Sequence, residues 1–323
     1  MTKISTHIRS LSPLSSLKLV LAAATLLLSA CGEKPLSSAE QTGLIADRRA
    51  IETSGLAAAH RAFDLLWTHN DSGGQPVLYA IGTDGKPRGS VRMDGIKNND
   101  WEDLASFELD GKTWLLIADT GDNGGVRKNC TLYVIAEPDP STLSPEREVT
   151  ATVAWRIPVV YPEGPHDCES VTVDPRSETI FLLSKRTHPP VLYSLPLRPA
   201  LDGKTPAAEP IATLTAGVPQ PTSWQKLFPS ATQRYRAQPT AIDIAPDGHA
   251  AAVLTYGDVL LYPHRPGEPW RDTFSRAPVI LAPHGLPQAE ALCFSRESRS
   301  LYVTGEGNTQ PLLRYKLPAN ARQ

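Results

Sequence analysis

Short apolar runs, many with period-two alternation, recur along the chain between clusters of Gly, Pro, Asp, Asn and Ser, and helical periodicity is nearly absent. Leu78-Tyr79-Ala80-Ile81, Leu132-Tyr133-Val134-Ile135 and Leu192-Tyr193-Ser194-Leu195 are near copies, with looser ones at Leu261-Tyr262 and at residues 313–317. Their tyrosines stand 54, 60, 69 and 53 residues apart. A second landmark precedes each: Ser54-Gly55-Leu56, Glu102-Asp103-Leu104, Glu169-Ser170-Val171, Thr240-Ala241-Ile242 and Glu290-Ala291-Leu292 open short alternating runs. Between the two landmarks lies a further apolar run, as at residues 114–118 and 180–183. Each unit therefore reads as strand A, a turn, strand B, a polar loop and strand C. Several units add a fourth run, at residues 90–93, 149–160 and 210–215.

Two landmarks that keep one order through five units predict an all-β fold, a β-propeller of four-stranded antiparallel blades. Five blades follow from the count, with six as the alternative. Residues 222–238 break the pattern, as a helical insertion or a degenerate blade. The segment near residues 43–46 is expected to pair with the last blade and so remove an open sheet edge.

The ends of the chain carry different information. Lys3, Arg9 and Lys18 precede an apolar stretch at residues 19–28, which is too short to span a bilayer and ends in Leu28-Ser29-Ala30-Cys31. Residues 1–30 read as a secretory signal whose ending resembles a bacterial lipobox, with Cys31 lipidated. Residues 31–50 form a tether with the closing strand, and residues 51–323 form the propeller domain. Gly32 in place of aspartate predicts sorting to the outer membrane of a Gram-negative cell, facing the periplasm, with the lipid as membrane partner. After residue 30 the chain holds 29 Lys and Arg against 34 Asp and Glu, with no basic run, which argues against a nucleic-acid partner. Cys293 sits in an apolar run and reads as a buried thiol. Cys130 and Cys168 remain as a pair, and an oxidising compartment permits a disulfide between them. Closing that loop would contribute about 3 to 4 kcal/mol in the chain-entropy model.

In an antiparallel meander the start of strand A and the end of strand B share one end of the sheet. That rule brings Glu102, Glu169 and Glu290 to one mouth, with His69, Asn70, Asp71, Asp100, Trp101, His166, Asp167, Lys185 and Glu306 around them. So many carboxylates repel one another unless a cation or a basic ligand sits there. Hard oxygen donors with few sulfurs suit calcium or magnesium rather than zinc or copper, and predict one calcium-type site with Glu102, Asp103, Asp119, Asp122 and Glu169 as ligands. The competing reading is that Asp, Asn and Gly make turns, which explains Asp110-Gly111 but not Glu at three equivalent openers. His69 and His166 are candidate general bases. Lys185 and Arg186 either pair with the carboxylates or bind phosphate, and Trp101 either packs between blades or stacks on a ligand. No complete nucleophile, zinc, dinucleotide or phosphate-loop motif is present.

His69-Asn70-Asp71-Ser72-Gly73, Asp100-Trp101-Glu102-Asp103-Leu104-Ala105 and Gly121-Asp122-Asn123 resemble a group of secreted bacterial propellers similar to the phytase-like and esterase-like families. The resemblance implies carboxylate-bound calcium at the mouth and hydrolysis of phosphate or other esters. The residues themselves favour a binding or scaffold lipoprotein that takes a protein or small polar ligand at the mouth. The metal-dependent hydrolase is the alternative, and a glycan hydrolase using two of Glu102, Glu169 and Glu290 is the third reading.

Overall fold

The computed structural model describes residues 37–200, 203–228 and 230–318; the signal segment and Cys31 lie outside them. Among the described residues no helix is long and apolar enough to cross a membrane. The architecture is all-β. β1 (Ala39–Leu44) precedes a first meander of β2 (Thr53–Ala58), β3 (Leu65–Asn70), β4 (Val77–Gly82) and β5 (Pro87–Asp94). A second follows, of β6 (Trp101–Leu109), β7 (Lys112–Asp119), β8 (Cys130–Ala136) and β9 (Glu148–Val159). The third holds β10 (Cys168–Asp174), β11 (Thr179–Ser184), β12 (Val191–Pro196) and β13 (Glu209–Thr213), and the fourth β14 (Pro239–Ile244), β15 (Ala250–Thr255), β16 (Val259–Pro263) and β17 (Val279–Ile280). The last comprises β18 (Ala289–Phe294), β19 (Ser300–Gly305) and β20 (Pro311–Lys316), and β1 completes it by pairing antiparallel with β20.

The first two meanders fuse into one eight-stranded sheet, because the first residues of β9 pair in parallel with β5 (Ser90 with Glu148 through Asp94 with Thr152) before the strand turns to β8. A strand of 12 residues is long enough to serve both neighbours, and it covers the edge that β5 would otherwise expose. The β6–β7 hairpin closes through Asp110-Gly111, with φ of 53° and 69°, the left-handed pair a two-residue turn requires.

Side chains alternate between the two faces of a strand, so an inner strand with a continuous apolar run buries both faces, whereas β1, β9 and β13 stay largely half-exposed or exposed. In β7, Leu115 and Ile117 join one core cluster while Leu116 and Ala118 join the next. Five such clusters fill the spaces between consecutive meanders, the fifth joining the last to the first through Leu56, Ile81, Cys293 and Leu312. The opening strands correspondingly contact one another in a cycle: β2 with β6, β6 with β10, β10 with β14, β14 with β18, and β18 with β2. Among the described residues of the 214–238 segment between β13 and β14 there is no strand, only a 3-10 turn at Gln225–Leu227 and the one-turn helix α1 (Ala231–Arg234).

Candidate functional site: a carboxylate-lined mouth

Every opening strand is irregular at the same place. The registers of β2, β6, β10, β14 and β18 shift across residues 53–56, 101–103, 168–170, 239–241 and 289–291. Glu102, Glu169, Thr240 and Glu290 are thus the extra residues of β-bulges, which re-aim a side chain that a regular pleat would hold to one face. Where the opener is a hydroxyl it ties opening strands together: Ser54 donates to the Glu102 carbonyl at 2.7 Å and Thr240 to that of Ala289 at 2.8 Å.

Where the opener is a glutamate the charges gather. One carboxylate oxygen from each of Asp71, Asp100 and Glu102 lies within 4.8 Å of the others, and the same holds for Glu102, Asp167 and Glu169. Glu102 belongs to both triads, is 2 % exposed, and its Oε1 accepts no hydrogen bond. The Gly121 backbone presses against this group so closely that a Cβ there would lie 2.0 Å from that oxygen and 2.5 Å from an Asp100 oxygen. Asp167 and Glu169 have partners already. Arg186 and the Asp122 amide donate to Asp167 at 2.5 and 2.9 Å, and the buried Lys185 ammonium pairs with Glu169 and lies 3.9 Å from Glu290. Tyr256 completes that corner, its hydroxyl donating to Glu290 at 2.6 Å and its ring 5.0 Å from the ammonium.

The protonation pattern follows from this packing. Burial, then Glu169, Asp71 and Asp100, push Glu102 well above the ordinary carboxylate range. Burial also raises Glu169 and Glu290 despite Lys185. Burial alone would lower Lys185, but Glu169 and Glu290 outweigh it and the ammonium is retained. Three glutamates beside one ammonium thus resist carrying three charges. At the rim, burial and the Asp71 charge lift Asp100 to about 6, and burial and the Glu290 charge lift Glu306 to about 7.

The remaining expected residues take other places. Asp103 lies deeper, accepting the Leu104 and Val171 amides at 2.8 Å and that of Ile242 at 3.5 Å, so it braces β6 against β10 and β14. Asp119 is held by Arg127 and Asn99 at 2.7 and 2.9 Å, and Asp122 accepts the Val126 and Arg127 amides of its own loop at 2.8 Å. His69 is fully buried against the edge of Trp101, itself fully buried, and burial lowers its pKa to about 4, so it stays neutral. Asn70 braces the loop, donating to the Arg49 carbonyl at 2.7 Å. His166 packs against Tyr161 and Tyr193, 3.8 Å from Glu163. Cys130, Cys168 and Cys293 are buried thiols in this structure, Cys130 and Cys168 in one apolar cluster.

Sequence reasoning brings the loop at Tyr256-Gly257-Asp258 to the mouth but overlooks Asp243. Asp243 accepts from Phe294, Ile244 and Thr172 and links β14 to β18 and β10; a lone acid inside Ala241-Ile242-Asp243-Ile244 was the available signal. Compared with known proteins, the chain matches no family model and no curated protein.

Proposed function

We propose that the protein is a five-bladed β-propeller, tethered to the outer membrane by a lipid on Cys31, whose acidic mouth binds a ligand with the help of a divalent cation. The cyclic contacts of the opening strands and the five inter-sheet clusters support the propeller reading. One observation carries the cation: a buried Glu102 oxygen without a hydrogen-bond partner, inside a group of carboxylates whose ion pairs, from Lys185 and Arg186, fall on Glu169 and Asp167 rather than on Asp71, Asp100 or Glu102. Leaving such an acceptor unpaired costs about 1 to 3 kcal/mol, more for a charge, and a bound cation removes that cost. Lys185 already occupies the Glu169 and Glu290 side. The triad without a cationic hydrogen-bond partner is Asp71, Asp100 and Glu102, so the cation belongs there first. All-oxygen donors at this spacing suit calcium or magnesium.

Calorimetric titration of the metal-free protein with calcium tests this, with saturable binding and a rise in thermal midpoint expected. Neither effect with calcium or magnesium would remove the cation from the reading. A metal-dependent hydrolase is the second reading, favoured by the rim carboxylates Asp100 and Glu306, whose pKa values of about 6 and 7 suit proton transfer near neutrality. Calcium-dependent turnover of aryl phosphates or aryl esters, lost in Glu306→Gln, would select it over the binding protein.

A further inference from the structure

Beside the acidic mouth lies a groove of opposite character. A cavity of about 460 Å³ is lined by His188, Gln220, Lys226, Arg234, Tyr235 and Gln238, with Pro221 and Ala237. It shares His188, Gln220, Ala237 and Gln238 with a second cavity of about 300 Å³ that Lys185 also lines. The two form one groove that runs from the mouth lysine to the 214–238 insertion. Among the described residues, no carboxylate lines either part. Lys226 and Arg234 enter no ion pair among the described residues, unlike Lys185 and Arg186, which are tied to mouth carboxylates.

The part of the wall next to Arg234 is tied to the fold. Arg236 grips Asp258 through two hydrogen bonds of 2.7 and 2.6 Å, and the Gly257 amide donates to the Arg236 carbonyl at 3.1 Å. Thr232 donates to the Pro287 carbonyl at 2.9 Å, and Leu214 and Val218 are buried in the core beneath. The Arg234 guanidinium stands 5.3 Å from the Tyr235 ring centre, at the rim of the groove.

We propose that this groove is an oxyanion subsite, for a phosphate or carboxylate group of the ligand that reaches the mouth. Two cations without ion-pair partners, an imidazole, two amides and a phenol supply donors for such a group, and none of the described residues that line the groove is acidic. The inference is independent of the cation reading, because none of its residues belongs to the carboxylate triads.

The test is a titration of the purified protein, held in chelator at constant ionic strength, with inorganic phosphate and separately with malonate. Saturable binding of at least one probe is expected. It should weaken about fivefold or more in Lys226→Ala/Arg234→Ala, as the loss of charge-assisted contacts at a solvent-exposed site requires, and recover in Lys226→Arg/Arg234→Lys. Lys112→Ala, an exposed cation on β7, should leave it unchanged. No saturable binding of either probe, an undiminished affinity in the double alanine variant, or equal weakening in Lys112→Ala would each overturn the subsite. Since chelator removes divalent cations, failure here leaves the calcium titration to stand or fall alone.

Discussion

Glu102 is the residue at which packing and electrostatics conflict most openly, for it is buried among other acids with one oxygen unpartnered. Glu102→Gln keeps the shape and removes the charge. We expect it to weaken calcium binding by at least about tenfold, as loss of a direct ligand should, while the metal-free protein gains stability from relieved repulsion. Calorimetry and thermal midpoints read the two effects separately, and a variant that binds calcium like the parent would place the ion elsewhere. Gly121→Ala tests the same spot from the backbone side. Gly121 is not among the positive-φ glycines, so alanine is conformationally allowed, but its methyl would collide with Glu102 Oε1. The expected result is a folded protein with impaired cation binding. At this scale the sequence was partly legible. Glu at three equivalent openers marked the mouth, yet nothing in composition separated Asp103, which braces strands, from Asp167, which faces Glu102 and Glu169. That distinction depends on which oxygens the backbone has already claimed.

Elements were more legible than residues, because alternation and turn chemistry are local signals. The Leu-Tyr runs became the third strand of each meander, and Asp110-Gly111 became the turn its composition implies. Less visible were the bulges, which require the partner strand to define a register, and the parallel pairing of β5 with β9, which joins segments about 60 residues apart. β1 illustrates how much an element can depend on its flank. Its residues are half-exposed, but the chain leaving it buries Ile45 at 2 % exposure in the cluster that joins the last meander to the first. Ile45→Ala should therefore cost about 2 to 4 kcal/mol, the range for emptying a packed aliphatic site. Denaturant unfolding would measure it. A cost below about 1 kcal/mol would mean that this closing segment contributes little to holding the ring of contacts together.

At the scale of the whole molecule, titration couples the mouth to stability, and the sign can be worked out. Asp100 and Glu306 have folded pKa values of about 6 and 7, above the ordinary values of 3.8 and 4.5. A carboxyl raised in this way favours the fold when protonated; its contribution is complete below about pH 4 and lost as pH rises through 7. The parent's own pH profile will not display this alone. Buried His69, lowered to about 4, acts in the opposite direction between that value and 6.5, and Asp243, raised to about 7, acts in the same direction from the molecular interior. Glu268, lowered to about 2 by Arg276, acts only below 4.5. Comparison with Asp100→Asn/Glu306→Gln cancels these shared contributions, since the double variant keeps the histidines, Asp243 and Glu268. In chelator, the variant should match its parent near pH 4 and be the more stable of the two at pH 8. Adding calcium at pH 8 should narrow or reverse the gap, because the parent regains a counter-charge and the variant has lost a ligand. Thermal midpoints at the two pH values decide it, and a gap that is constant with pH, or widest in acid, would mean that these rim carboxyls ionise without strain and that the mouth is not short of positive charge.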